Sequence, residues 1–219
     1  PSRLLVMVSL LVILLSLPQL VLSSTHWSYR TPELWTGICH TGQRQSPIDI
    51  VDPVLDTSLH DILLDNYGES GTLTVTNNGH TVSVSGFDKW PKRPAIYGAD
   101  LTDRYVVDNI HFHWTRQAAK GGSEHHVGSK AYDGEVHVVH IKEGLSMDQA
   151  LLQPDGLVVM AIFLKKASTA PELDILNHAV RKVTVAEHTA NINMSPVEVT
   201  PFNYEAYYRY NGSLTTPDC

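Results

Sequence analysis

The segment Ile110-His-Phe-His-Trp114 places two imidazoles one residue apart in a run of large apolar side chains. On a strand, alternate residues share a face, so Ile110, Phe112 and Trp114 are expected in a core while His111 and His113 point the other way. Their Cα atoms would lie about 6.5 Å apart, close enough for both rings to lean onto one ion. A second β-rich run, Glu135-Val-His-Val-Val-His140, offers His137 between apolar neighbours. Three neutral imidazoles around one Zn²⁺, with the fourth position left to water, is the open arrangement of catalytic zinc, whereas Ca²⁺ and Mg²⁺ want clustered oxygens. A His-x-His pair can also be a plain polar strand face, so spacing alone leaves both readings open. Glu135 shares a face with His137 and can accept that imidazole's other N–H. His140 has the opposite parity and is expected to face away as a hydrogen-bonded structural residue. His125 and His126, which follow Glu124 in a Gly-rich turn, are expected to be structural or exposed.

These histidines need strands to hold them, and the rest of the chain supplies them. Gly71 to Gly86 reads as a hairpin, because Thr72-Leu-Thr-Val-Thr and Thr81-Val-Ser-Val-Ser alternate at period two around the turn signal Asn78-Gly79. Arg104–Thr115, Glu135–Lys142 and Gly156–Lys166 are β-rich runs of strand length. One helix is expected from Pro171 to about Val183, with Leu173, Leu176, Ala179, Val180 and Val183 on one stripe. Thr25 to Asp49 is loop-like. The sum is one mostly β domain with peripheral helices.

The chain has 219 residues, 42% of them apolar, enough for one sizeable domain. Pro1–Ser24 holds one base, Arg3, and no acid, then an apolar core ended by Pro18 and small residues at Ser23 and Ser24. That order describes a secretory signal peptide, with a core short of the ~20 residues a bilayer span needs. Residues 25–219 are then the domain. They carry all 23 acids and 15 of the 16 bases without a basic run, which excludes nucleic acid as a partner. Cys39 and Cys219 are the only cysteines, and in an oxidising compartment they most simply pair, the alternative being two unrelated thiols. The start on Pro and the end on Cys219 suggest a sequence clipped at both ends.

Beyond the histidine runs, Gln43-Arg-Gln-Ser-Pro-Ile48, Asn77-Asn-Gly-His80, Gly122-Ser-Glu-His125, Gln153-Pro-Asp-Gly-Leu157 and Gly212-Ser-Leu-Thr-Thr-Pro217 occur in order. Together with His111-Phe-His-Trp114 and Glu135-Val-His-Val-Val-His140 they resemble the α-class carbonic anhydrases, from about Trp27 to Cys219. The resemblance implies a large twisted, mainly antiparallel central sheet, in a domain lacking its C-terminal strands. It implies reversible hydration of carbon dioxide to bicarbonate and a proton by hydroxide on one Zn²⁺ per chain, in a secreted or cell-surface protein. His111, His113 and His137 match the zinc ligands. Thr215 matches the threonine that accepts a hydrogen bond from the nucleophile, and Glu124 the acid that takes the proton of Thr215. His80 matches the proton shuttle, with Tyr29, Asn78 and Ser83 along the proton path. Val139, Val159 and Leu214 match the apolar wall where carbon dioxide rests, with Thr215 and Thr216 completing the substrate contacts. Cys39 and Cys219 match the disulfide of extracellular members.

Two positions depart from the family's pattern. Asn109 stands where Gln usually supports His111, so a longer or water-mediated hydrogen bond is expected. Asp218 replaces a Pro after Pro217, which should loosen the turn into Cys219. Two other functions compete: a catalytically weak or inactive carbonic-anhydrase-related binding or matrix protein, and a zinc hydrolase of esters. Membrane attachment is undetermined. Asn193-Met-Ser195 and Asn211-Gly-Ser213 fit the glycosylation pattern, the second expected to be buried beside Thr215.

Overall fold

The computed structural model describes residues 27–115, 121–200 and 206–219. The expected signal segment, residues 1–24, lies outside them. Trp27–Leu34 belongs to a short unit of its own, in which the rings of Trp27 and Tyr29 meet edge to face at 4.9 Å. Everything functional described below lies in the second unit, Trp35–Cys219.

That unit is built on an eight-stranded sheet. A separate two-stranded parallel pair joins β1 (Asp49–Ile50) to β7 (His126–Val127). In the large sheet, β2 (Ile62–Asp65) pairs with β5 (Ala95–Gly98), and β3 (Gly71–Asn77) with β4 (Val82–Ser85). The central strand, β6 (Tyr105–Trp114), takes β4 and β5 end to end along one edge and β8 (Gly134–Lys142) along the other. Beyond β8 lies β9 (Leu157–Leu164), and β10 (Thr189–Met194) closes the opposite margin against β3. All eight are antiparallel to their neighbours.

Period-two alternation accounts for the hairpin. Leu73, Val75, Val82 and Val84 are buried, and the intervening Thr and Ser side chains leave the core. In β8 the rule changes: every residue from Gly134 to Ile141 is buried. A strand flanked on both edges and covered on both faces has no solvent side, so its sequence reads as an unbroken apolar run with histidines in it.

The helices are short. α1 (Ile38–Thr41) is one turn, and α2 (Met147–Leu151) starts at a capping box. There the Ser146 hydroxyl accepts from Gln149 N at 3.3 Å and the Gln149 side chain accepts from Ser146 N at 2.9 Å. α3 (Asp174–Val180) is shorter than its stripe suggests, because Pro171–Leu173 forms a 3₁₀ turn ahead of it. Leu176, Ala179 and Val183 still reach the core. No helix among the described residues is long and apolar enough to cross a membrane.

Trp114 corrects the expected core face of β6. Ile110 is fully buried and Phe112 packs against the core, but Trp114, the strand's last residue, is 57% exposed. The alternation holds; the core cover ends one step before it.

Candidate metal centre

The β6–β8 ladder sets the site. Its register puts His111 opposite His137 and His113 opposite Glu135, while Asn109 faces Val139. These six residues fall on the face that Ile110, Val136 and Val138 do not use, because those three are buried in the main core. β9 extends the same face, with Val159 opposite Val139 and Ala161 opposite His137. On the other edge of β6, Ser83 of β4 stands opposite His111.

Three imidazoles meet there. Ring centroids of His111 and His113 are 5.1 Å apart, of His111 and His137 5.1 Å, and of His113 and His137 4.5 Å. One ring nitrogen from each lies within 4.8 Å of the others. A tetrahedral zinc with N ligands at about 2.0–2.1 Å separates those atoms by about 3.4 Å, a spacing that falls inside this limit.

Electrostatics favours metal-ready, neutral rings. Burial lowers His111 to about 4 and His113 to about 3, and the neighbouring imidazoles add to it. Both therefore keep a lone pair at neutral pH. The other ring nitrogens are committed. His111 Nδ1 lies 2.9 Å from Asn109 Oδ1, and His137 Nε2 lies 2.6 Å from Glu135 Oε1. These bonds leave Nε2 of His111 and Nδ1 of His137 for the shared centre. His113 Nδ1 approaches Glu124 Oε1 at 3.2 Å.

Glu135 is fully buried between two imidazoles. Burial pushes its carboxyl upward, but hydrogen bonds from His125 and His137 overcome that and hold it well below the usual carboxylate range. His125 binds it twice, through its backbone N–H at 2.9 Å and through Nδ1 at 2.6 Å. The other nitrogen of His125 meets the Tyr210 hydroxyl at 2.5 Å, which in turn meets Ser46 Oγ at 2.7 Å. His125 is thus structural, as expected, but it supports the triad through Glu135. Tyr210 and Ser46 are additions that the sequence reading missed. Only Gln45-Ser46-Pro47 stood in a recognised motif, and nothing local ties Tyr210 to a histidine 85 residues away.

Glu124 is pushed upward by burial, against which a hydrogen bond from Thr215 works. Leu214 and Thr216, half-buried, flank Thr215 in the irregular terminal segment. Cys39 and Cys219 are joined, with Cα atoms 5.1 Å apart. His140 faces away from the triad, fully buried, bonded to the Tyr67 hydroxyl and, at 3.1 Å, to the Val158 carbonyl.

Four expectations need correction. The returning strand was expected from Thr81, but β4 begins at Val82, and His80 sits half-buried in the connecting loop. The reason is Asn78, whose Oδ1 accepts from His80 N at 3.0 Å and Thr81 N at 2.8 Å, a side-chain turn that lengthens the loop. Asn109 makes its bond to His111 directly, at 2.9 Å, from the residue that follows a bulge in β6. Asp218 does not open the final turn: Cys219 N bonds Thr216 O at 3.0 Å, and Asp218 takes φ +77°, which Pro cannot adopt. Asn211 is exposed, not buried, as is Asn193 on β10.

The family model for eukaryotic-type carbonic anhydrases matches residues 23–219. The chain is 40% identical to "Putative carbonic anhydrase 5" of Caenorhabditis elegans over 229 aligned positions, covering 100% of this chain and 73% of the relative. It is 35% identical to carbonic anhydrase 7 of Mus musculus, over 80% of this chain and 67% of that protein. Carbonic anhydrase 6 of Bos taurus is 33% identical, over 91% of this chain and 61% of its own length.

Proposed function

The chain belongs to the eukaryotic-type carbonic anhydrase family, and from that premise we propose that it catalyses zinc-dependent, reversible hydration of carbon dioxide to bicarbonate and a proton. The observation that carries this reading is the convergence of His111, His113 and His137, with Asn109 and Glu135 committing the opposite nitrogens of two of them. Bound by these three neutral rings, zinc would supply a Lewis acid that acidifies water to a pKa of about 7.

The remaining residues then have defined tasks. Thr215 donates its hydroxyl hydrogen bond to Glu124, so its oxygen offers only lone pairs to the nucleophile and orients it. Val139 and Val159, paired across β8 and β9 on the site face, form with Leu214 an apolar wall for a substrate that has no charge to grip. Thr216 continues the substrate side. His80, in its loop, carries the released proton away, an imidazole being suited to that near pH 7. Ser83 opposite His111 and Asn78 at the loop's root line its path. The disulfide suits an oxidising compartment, and we place the protein outside the cell.

Metal analysis and stopped-flow hydration test this together. Wild type should carry one zinc per chain and accelerate hydration, and His113→Ala should lose most of both. Full zinc in the variant would overturn the ligand set. A zinc-loaded wild type without hydration activity would point to a non-catalytic relative. His80→Ala should slow turnover about tenfold in weak buffer and recover with an added imidazole buffer, as expected when general acid–base transfer is what is lost. A defect that buffer does not relieve would remove the shuttle role.

A further inference from the structure

Strand β6 has one irregularity, and it lies beside the triad. Its register against β8 shifts between Val107 and Asn109, leaving Asp108 as an extra residue. Val107 and Ile110 are both fully buried in the main core although their spacing would put them on opposite faces of a regular strand. The bulge resolves this by letting Asp108 and Asn109, both half-exposed, leave the core together.

The two side chains meet. Asn109 Nδ2 donates to Asp108 Oδ2 at 3.0 Å, and Asn109 Oδ1 lies 2.9 Å from His111 Nδ1. Behind Asp108, Arg93 Nη2 lies 3.6 Å from Oδ1, and Arg93 is anchored by Nε donating to the Val107 carbonyl at 2.8 Å. The two ends of an Asn amide have nearly the same shape and opposite chemistry, so a neighbour must decide which end faces the imidazole. With the NH₂ end toward His111, Nδ1 would have to accept, the ring proton would sit on Nε2, and that nitrogen could not ligate a metal. A carboxylate only accepts, and therefore takes only the NH₂ end.

We infer that Asp108, braced by Arg93, is a positioning residue: it fixes the orientation of the Asn109 amide and so keeps the lone pair of His111 on Nε2, toward the triad. The consequence for metal rests on the zinc reading above; the orientation itself does not.

The test uses ¹⁵N-histidine NMR of the metal-free protein and zinc release to a chelator such as dipicolinate. In wild type His111 is the Nδ1–H tautomer. Asp108→Asn, which can offer either end of its own amide, should give a mixture of tautomers. It should also speed zinc release about five- to tenfold, below the 10–100-fold typical of a direct partner. Asp108→Ala should do the same, guarding against a local disturbance by the new amide. The decisive background is Asn109→Asp, whose carboxylate accepts from Nδ1–H whatever stands at 108. There Asp108→Asn should alter neither tautomer nor release. An unchanged tautomer in the single variants, or equal effects in both backgrounds, would overturn the assignment. A wild-type protein that binds no zinc would defeat the zinc reading, while the tautomer comparison would still decide the role of Asp108.

Discussion

The β6–β8 ladder and the terminal segment 206–219 deliver residues to the same centre by different means. In the ladder, nine register pairs fix His111, His113, His137 and Glu135, and each side chain's direction follows from strand parity. The terminal segment has no regular structure. Thr215 is placed by side chains around it: Ser213 exchanges hydrogen bonds with Ser46 at 3.0 Å each way, Tyr210 reaches Ser46 and His125, and Cys219 is tied to Cys39. Backbone pairing gives a placement that single substitutions barely move. A strap held at a few points can be released one point at a time.

The largest break is at the disulfide. Its two cysteines are 180 residues apart, and a loop that long is worth about 5 kcal/mol in the chain-entropy picture. Cys219→Ser should lower unfolding free energy by up to about that amount, measured by urea titration. At temperatures where the variant remains folded, hydration activity should fall because Thr215 is loosened, while zinc content stays at the wild-type level. Parallel loss of zinc and activity would mean that ladder and strap are one unit, and the contrast would fail.

What the sequence disclosed follows the same division. The alternation Ile-His-Phe-His is local, so the strand, its two faces and the pairing of two histidines could be read from four residues. His137 needed a second run of the same kind. The strap's contacts could not be read, because Ser46, His125 and Tyr210 come from distant segments and carry no spacing signal. Short strands were also missed. β10 has Asn191 and Asn193 at its outward positions, residue types that strands disfavour, yet Ile192 and Met194 alternate with them into the core. The α2 cap, Ser146 to Gln149, was legible as a capping box and went unread. The hairpin turns at Asn78-Gly79 as expected, but β4 starts one residue later than the run Thr81-Val-Ser-Val-Ser suggests, because the Asn78 side chain takes the Thr81 N–H.

The ladder can be probed by acid. His140 sits in β8 with both ring nitrogens bonded, and burial lowers it to about 4 from its ordinary 6.5. The folded state therefore disfavours the proton that the unfolded chain takes up below pH 6.5. The stability this confers is full above that pH and drains as pH falls toward 4. Between pH 7 and pH 5 the loss from this group is about 2 kcal/mol. His111 and His113 shift in the same direction in the metal-free protein, so the measurement is best made with zinc bound. His140→Gln should flatten the pH dependence of the urea midpoint across this window. An equally steep slope in the variant would place the acid sensitivity elsewhere.

The smallest effect should come from the strap's hydroxyl pin. Tyr210→Phe keeps the ring against His125, whose ring lies 5.8 Å away, and removes only the oxygen that His125 and Ser46 share. Ser46 is half-exposed and can turn to water, but His125 is buried and loses the partner of one nitrogen. A buried group left unsatisfied costs about 1–3 kcal/mol, and the partial exposure of Tyr210 lets water recover some of it, so about 1 kcal/mol is expected. The informative readout is where the change appears. His125 holds Glu135, and Glu135 holds His137, so a rigid ladder should absorb the loss with zinc release unchanged. If zinc instead leaves several-fold faster in Tyr210→Phe, the strap reaches through His125 and Glu135 into the metal centre, and the ladder does not by itself position its ligands.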